Sequence, residues 1–247
     1  MSRALVLSDL HANLDALEAV LAHASDRWDR VLVLGDLVGY GAEPNAVIDR
    51  VRALAPEAVI RGNHDKAACG LDDGSQFNIV ARSAAMWTAE QLTPENMVYL
   101  RALPEGPIEI DALVEICHGT PFDEDHYIFG GSDAYLALRS MTRPLCLFGH
   151  THLPVIYRAV DDAFEGEAAD PQRETIVRMQ RGARYLVNPG SVGQPRDGDP
   201  RAGYAILDDE ARELRLFRVE YPVDAAQRRI LAAGLPASLA NRLALGR

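Results

Sequence analysis

Leu5-Val6-Leu7-Ser8-Asp9-Leu10-His11 is the first apolar run of the chain, and it stops on an acid with a histidine two residues later. A run of Leu and Val of this length reads as a buried strand. A carboxylate and an imidazole at its carboxyl end fit the crevice where open α/β sheets bind ligands. Alone, the pair reads first as an Asp capping a helix that starts near Ala12. Four later stretches decide between the two: Gly35-Asp36, Gly62-Asn63-His64-Asp65, His118-Gly119 and Gly149-His150-Thr151-His152. Each sets metal-ligand residue types beside a glycine, just after an apolar run.

Around these stretches the chain alternates. Asn13 to Ala24 carries Leu14, Leu17, Val20 and Leu21 at helical spacing. Arg30 to Leu34 is a second strand, Pro44 opens a helix through Leu54, and Ala58 to Ile60 is a third strand. This β-α-β-α-β order predicts a parallel sheet with right-handed crossovers. Phe77 to Leu92 and Pro94 to Leu100 read as helices, with Thr93 capping the second. They are expected to serve as structural cover, with a lid beside the site as the alternative. Pro107 to Ile110 and Leu113 to Cys117 read as a hairpin, followed by a loop over 119–131, a helix from Asp133 to Arg139 and a strand from Leu145 to Phe148. The last third is mostly β: Val155 to Val160, Thr175 to Met179, Tyr185 to Val187, Tyr204 to Leu207 and Glu213 to Val219. Asp161 to Arg173 is acidic and polar and reads as an exposed excursion. Val223 to Ala233 and Pro236 to Leu245 close the chain as helices. Their Leu235, Leu239, Leu243 and Leu245 are expected to pack on the body, with a second subunit as the other surface they could serve. No linker divides the 247 residues, so the expectation is one α/β domain.

Composition excludes several classes. The formal charge of −11 leaves no general basic face for nucleic acid, although bound cations would let an acidic protein take a phosphorylated substrate. No apolar run spans a bilayer, and no signal peptide is read at the start. Cys69, Cys117 and Cys146 form no C-x-x-C pattern and suit small buried residues in a reducing cytoplasm. Lys66 is the sole lysine, which by itself assigns nothing.

Five of the seven histidines (His11, His64, His118, His150 and His152) fall within the motifs. A His/Asp/Asn set without Cys suits Mn, Fe or Zn. More than four ligands implies two ions, which a carboxylate bridges at ~3.5–4 Å; the pair lowers the pKa of bound water and clamps an in-line displacement at phosphorus. The order D-x-H, G-D, G-N-H-D, H and G-H-x-H, running from Asp9 to His152, resembles the calcineurin-like metallophosphoesterase superfamily, of the small bacterial phosphoesterase type. Asn188-Pro189-Gly190-Ser191 is similar to a following strand end in bacterial members. The resemblance implies a four-layer αββα sandwich of two mixed sheets flanked by helices. It also implies that Asp9, His11 and His152 hold one divalent ion, that Asn63, His118 and His150 hold a second, and that Asp36 bridges both. Manganese is favoured, with iron, zinc or nickel as alternatives. His64 would protonate the leaving alcohol or orient the scissile phosphate, and Asp65 would either orient His64 or cap the next helix.

One departure is informative. Ser/Thr protein phosphatases carry G-D-x-V-D-R-G at the second motif, whose second Asp supports the catalytic His and whose Arg binds phosphate. Here Gly39 and Tyr40 stand at those two positions. Arg196 is a candidate replacement for the lost phosphate anchor. Tyr40, Tyr127, Phe122 and Asp123 are candidates to line the pocket. The expected activity is hydrolysis of a small phosphodiester or phosphomonoester by a metal-bound hydroxide. The alternatives are a metal-bound scaffold and, less favoured, a protein phosphatase. Scaffold members of the superfamily lack the catalytic His, whereas His64 is present.

Overall fold

The computed structural model describes residues 2–161, 163–170 and 174–247. The first part alternates as its periodicity predicts: β1 (Arg3–Leu7), α1 (Leu14–His23), β2 (Arg30–Val33), α2 (Pro44–Ala53) and β3 (Ala58–Val59). Asn13 starts α1 by accepting the amide of Ala16 on its side chain. Pro44 opens α2, where its missing N–H forfeits no helical bond. Three helices follow: α3 (Asn63–Cys69), α4 (Ile79–Gln91) and α5 (Pro94–Ala102), the last capped by Thr93. Then come β4 (Ile108–Glu109), β5 (Val114–Ile116), α6 (Gly131–Ser140) and β6 (Leu145–Leu147). The β-rich end supplies β7 (Val155–Val160), β8 (Ala163–Ala168), β9 (Thr175–Arg178), β10 (Arg184–Asn188), β11 (Ala202–Asp208) and β12 (Glu213–Val219). It is followed by α7 (Val223–Ala232) and α8 (Ala237–Leu243).

The strands form two six-stranded sheets, ordered β3-β2-β1-β11-β12-β9 and β4-β5-β6-β10-β7-β8. Both are mixed. β1, β2 and β3 run parallel, as do β5, β6 and β10, and antiparallel strands extend each block. The alternation within β1 shows how the layers arise. Leu5 and Leu7 point to one side, into a cluster with Leu17, Val20, Val47, Ile48, Leu239 and Leu243 from the helices. Ala4 and Val6 point to the other, against Val114, Ile116, Leu145 and Leu147 of the second sheet. On that sheet's outer face Cys146, Phe148 and Leu186 meet Ala134, Ala137 and Leu138 of α6. Helices, sheet, sheet and helix therefore stack as an αββα sandwich, in which the central parallel strands β1, β2, β5 and β6 bury both faces.

Two expectations need revision. The stretch read as an exposed excursion, 161–173, contains a strand: β8 pairs antiparallel with β7, from Val160↔Ala163 to Val155↔Ala168. Residues 162 and 171–173 lie outside the described part. β8 escapes the periodicity test because it is an edge strand whose Glu165 and Glu167 are solvated, and charged edges are how sheets resist further pairing. At the other end Leu235, Leu239 and Leu243 are buried as expected, but Leu245 is 54% exposed. No helix among the described residues is long and apolar enough to cross a membrane.

Candidate metal centre

Every motif ends a parallel strand. Asp9 and His11 follow β1, Asp36 follows β2, Asn63 and His64 open α3 just past β3, His118 follows β5, and His150 and His152 follow β6. The parallel blocks of the two sheets thus deliver their carboxyl ends to one place. The chain turns sharply there: Asp9, His11, Asp36, His150 and His152 all hold positive φ, between 46° and 67°. Asp and His tolerate this region better than most residues, yet such a cluster of strained backbone persists only where the surroundings over-determine it. Here they do. Asp9 N donates to Gly35 O, His11 N to Asp36 O and His150 N to Asp9 Oδ1. Gly62 passes so close to Asp36 that a Cβ would stand 2.2 Å from Oδ1.

Asn188-Pro189-Gly190-Ser191 acts as scaffolding for these turns. Asn188 Nδ2 donates to Gly149 O at 2.7 Å and Ser191 Oγ to Asp9 O at 2.8 Å.

The imidazoles are held in one orientation by carbonyls, which can only accept. His11 Nδ1 donates to Val38 O (3.0 Å), His118 Nδ1 to Leu34 O (2.7 Å) and His152 Nδ1 to Gln194 O (2.6 Å). Each Nε2 is thereby turned inward as the ligand nitrogen. His150 is reversed: Nε2 donates to Asp125 O at 3.0 Å, and Nδ1 faces inward. Two groups of donors result, Asp9, His11, Asp36 and His152 in one, Asp36, His118 and His150 in the other. Asp36 belongs to both, with Oδ2 3.6 Å from His11 Nε2 and 3.5 Å from His118 Nε2. Asn63 Oδ1 joins the second group, 3.3 Å from His118 Nε2.

Electrostatics make the donor set fit a cation. Burial holds His11 and His152 well below the usual histidine range. Both are therefore neutral, yet their Nε2 lone pairs face each other across 3.1 Å with no proton to share. A cation between them removes that conflict. Burial pushes Asp9 up to about 6. Asp36 stays well below the carboxylate range: burial opposes its charge, but the protonated His118 beside it outweighs burial. His118 resists burial through Asp36 and Asp9 and rises to about 10, so the metal-free cluster keeps a proton there that a metal ion would displace.

His64 stands beside this set. Its backbone N donates to Asp36 Oδ1 at 2.9 Å, and its ring lies between Phe77 (4.6 Å, stacked) and Tyr40 (4.3 Å). Its Nδ1 is buried with no hydrogen-bond partner among the described residues. Burial lowers it to about 4, so the ring is neutral.

The profile of the calcineurin-like phosphoesterase superfamily domain matches residues 3–212. The chain belongs to the calcineurin-like phosphoesterase superfamily. By that membership it is a metal-dependent phosphoric ester hydrolase. The crystal structure of a metallophosphoesterase from Sphaerobacter thermophilus is 42% identical, with a TM-score of 0.88 over 99% of this chain and 100% of that one. Uncharacterized protein MJ0912 of Methanocaldococcus jannaschii is 35% identical over 246 residues, 98% of this chain and 97% of the relative. Phosphodiesterase YfcE of Escherichia coli is 24% identical over 222 residues, 85% of this chain and 89% of the relative.

At the second motif this chain leaves no room for the Asp of the protein-phosphatase pattern. Gly39 holds φ +88°, and a Cβ on it would lie 2.5 Å from His64 Nδ1. The His64 ring fills the room that an Asp side chain needs, which is why its Nδ1 has no carboxylate. Asp65 does not supply one either. Its Oδ1 accepts from Val38 N (3.1 Å) and its Oδ2 from Gly62 N (3.0 Å), so it caps α3 and ties that helix to the Asp36 loop.

Of the pocket candidates, Tyr127 stacks on His150 at 3.6 Å, and it lines a cavity of about 120 Å³ with Asn63, Lys66, Phe77 and His150. Arg196 NH2 donates to Gln194 Oε1 at 3.1 Å and reaches Tyr40 OH at 3.4 Å. Phe122 and Asp123 sit apart on an exposed turn, where Phe122 leans on His126 and Asp123 bonds Thr120. Sequence reading missed Lys66. Its Nζ lies 2.8 Å from Glu124 and 2.6 Å from Asp125, pinning the loop whose Asp125 carbonyl orients His150.

Proposed function

We propose that the protein hydrolyses a small-molecule phosphodiester or phosphomonoester with two divalent ions, manganese favoured and iron, zinc or nickel as alternatives. Asp9, His11 and His152 would hold one ion, Asn63, His118 and His150 the other, and Asp36 both. The observation that carries this reading is Asp36 Oδ2, set between His11 Nε2 and His118 Nε2 and shared by the two donor groups. Two ions so held would lower the pKa of water and stabilise both the entering and the leaving oxygen at phosphorus.

The chain's own residues supply the rest. The inward-facing nitrogens fix ligand positions before metal arrives, so little reorganisation opposes binding. His64 would orient the scissile phosphate as a neutral donor or, after taking a proton on its unpaired Nδ1, give the proton on its other ring nitrogen to the leaving oxygen. Phe77 and Tyr40 hold that ring by contact where no carboxylate does. Arg196, Tyr40 and Tyr127 would line the approach to the ions.

The diester reading gains support from the relative named a phosphodiesterase. The missing Asp and Arg at Gly39 and Tyr40 weigh against a protein phosphatase, and the retained His64 weighs against a scaffold. Three buried free cysteines fit a reducing compartment, and the cytoplasm is the proposed location.

Metal-loaded protein is expected to turn over p-nitrophenyl phosphate or its bis-ester, and Mn-soaked crystals to give two anomalous peaks that both contact Asp36. No turnover across a broad phosphate panel with each of the four metals, or a lone peak remote from Asp36, would overturn the reading.

A further inference from the structure

Two arginines converge beside the centre, neither paired with an Asp or Glu among the described residues. Arg196 lies on the loop after Ser191 and Arg242 near the end of α8, and each guanidinium carbon stands 5.7 Å from the centroid of the Tyr40 ring. Tyr40 in turn lies 4.3 Å from the ring of His64 and 4.7 Å from that of His11. Apart from its bonds to Gln194 and Tyr40, Arg196 leaves its Nε buried and unpaired. Arg242 donates Nε to the terminal oxygen of Arg247, and the rest of its fork has no other hydrogen-bond partner among the described residues. Neither arginine has an Asp or Glu carboxylate within ion-pair distance among the described residues.

The chain carries 36 acids against 25 bases, and several of its arginines gather carboxylates. Arg30 gathers Glu57, Asp111 and Asp209, Arg61 gathers Glu105 and Glu124, and Arg229 gathers Asp15 and Glu43. Burial and the Arg196 charge both push Arg242 below its ordinary range. Arginine nonetheless stays protonated in proteins, so the repulsion is not relieved by losing a proton. An anion shared by the two planar forks relieves it and satisfies their free donors together.

We propose that Arg196 and Arg242 form an anion subsite for a second charged group of the substrate, a phosphoryl or carboxylate group carried by the leaving alcohol. The proposal rests on the hydrolase reading above, in which the scissile phosphoryl group sits on the metal ions and His64 faces the leaving oxygen. The arginine pair is one ring beyond His64, so what it grips belongs to the leaving side. Substrates with neutral leaving groups would leave the free donors of the two forks unsatisfied and bind less well. The C-terminal helices acquire a part in specificity, because α8 delivers one of the two forks.

The test uses the full-length, metal-loaded protein and alkylphosphonates of increasing chain length, ending in a carboxylate or in the isosteric carboxamide. Binding is read by calorimetry. At the chain length that spans the two sites, the carboxylate should bind about ten- to a hundredfold more tightly than its amide, the range for hydrogen bonds to charged groups. Arg242→Gln and Arg196→Gln should each remove most of that preference, and Arg242→Lys should keep part of it. Thermal unfolding of each variant confirms that it is folded. Equal binding of carboxylate and amide at every length, or a preference untouched in Arg242→Gln, would overturn the subsite. Since calorimetry needs no turnover, a protein that hydrolyses nothing yet shows the preference would refute the hydrolase reading alone.

Discussion

Gly39→Ala isolates His64 from the metal set. The added Cβ would stand 2.5 Å from His64 Nδ1, 2.9 Å from Cγ and 3.0 Å from Cβ of the same residue. Ordinary contact begins about 1 Å further out, and the ring cannot yield freely because Phe77 and Tyr40 pack against it. A displacement near 1 Å of a reacting group costs roughly 10²-fold in rate. Gly39 also holds φ +88°, where a side chain adds about 1–3 kcal/mol of strain. For a chain of this size that lowers Tm by roughly 3–10 °C. The expected variant is folded, modestly less stable, close to normal in metal content by mass spectrometry, and down by about two decades in kcat on p-nitrophenyl phosphate. Wild-type kcat in folded Gly39→Ala protein would refute the argument, since it would mean that the position of the His64 ring does not govern the rate.

Three other outcomes follow from the same geometry. His64→Ala should retain both ions and lose ~10²–10⁴ in rate, less for acidic leaving groups that need little protonation; metal loss in that variant would make His64 a ligand instead. Asp36→Asn keeps the shape but removes the charge that screens two dications, whose repulsion at ~4 Å is roughly 4 kcal/mol even in water-like screening. Metal content should therefore fall toward one ion per chain and turnover largely vanish, and full occupancy with normal turnover would sink the bridge. Asp65→Ala strands the buried amides of Gly62 and Val38 at about 1–3 kcal/mol each, so thermal unfolding should move down by several degrees; an unchanged Tm would show that the cap carries no stability.

The donor set was legible because strand ends and ligand chemistry leave the same mark. An apolar run that stops on an Asp or His states where a side chain emerges and what it can bind, and β1 (Ser8-Asp9), β2 (Gly35-Asp36), β5 (His118-Gly119) and β6 (Gly149-His150) all end that way. The two-sheet layering came with the family, since periodicity alone does not say that β5 and β6 belong to a different sheet from β1 and β2. β8 was illegible because a solvated edge strand has no buried face to impose alternation. Asp65 did carry a signal: an acid three residues after the glycine that begins α3 is the spacing of a capping box, but adjacency to His64 offered a competing role.

Lys66 and Arg242 mark the harder limit. Lys66 sits one turn into α3 and is buried, a placement that only Glu124 and Asp125 make affordable, and those acids lie in a loop whose path depends on the packing of α3. Arg242 is separated by 202 residues from the tyrosine it covers, and its direction depends on how α8 folds back over α7. In both cases the side chain's role is set by a partner at long range, and neither residue stands at a strand end or in a spaced motif. Residues that bind metal must present particular atoms at short spacing from the backbone, so their types recur in pattern. Residues that hold a loop or receive a distant charge need only reach, and a long flexible cation reaches from many positions. The chemistry of this site is therefore written locally, while its selectivity is written in tertiary contacts.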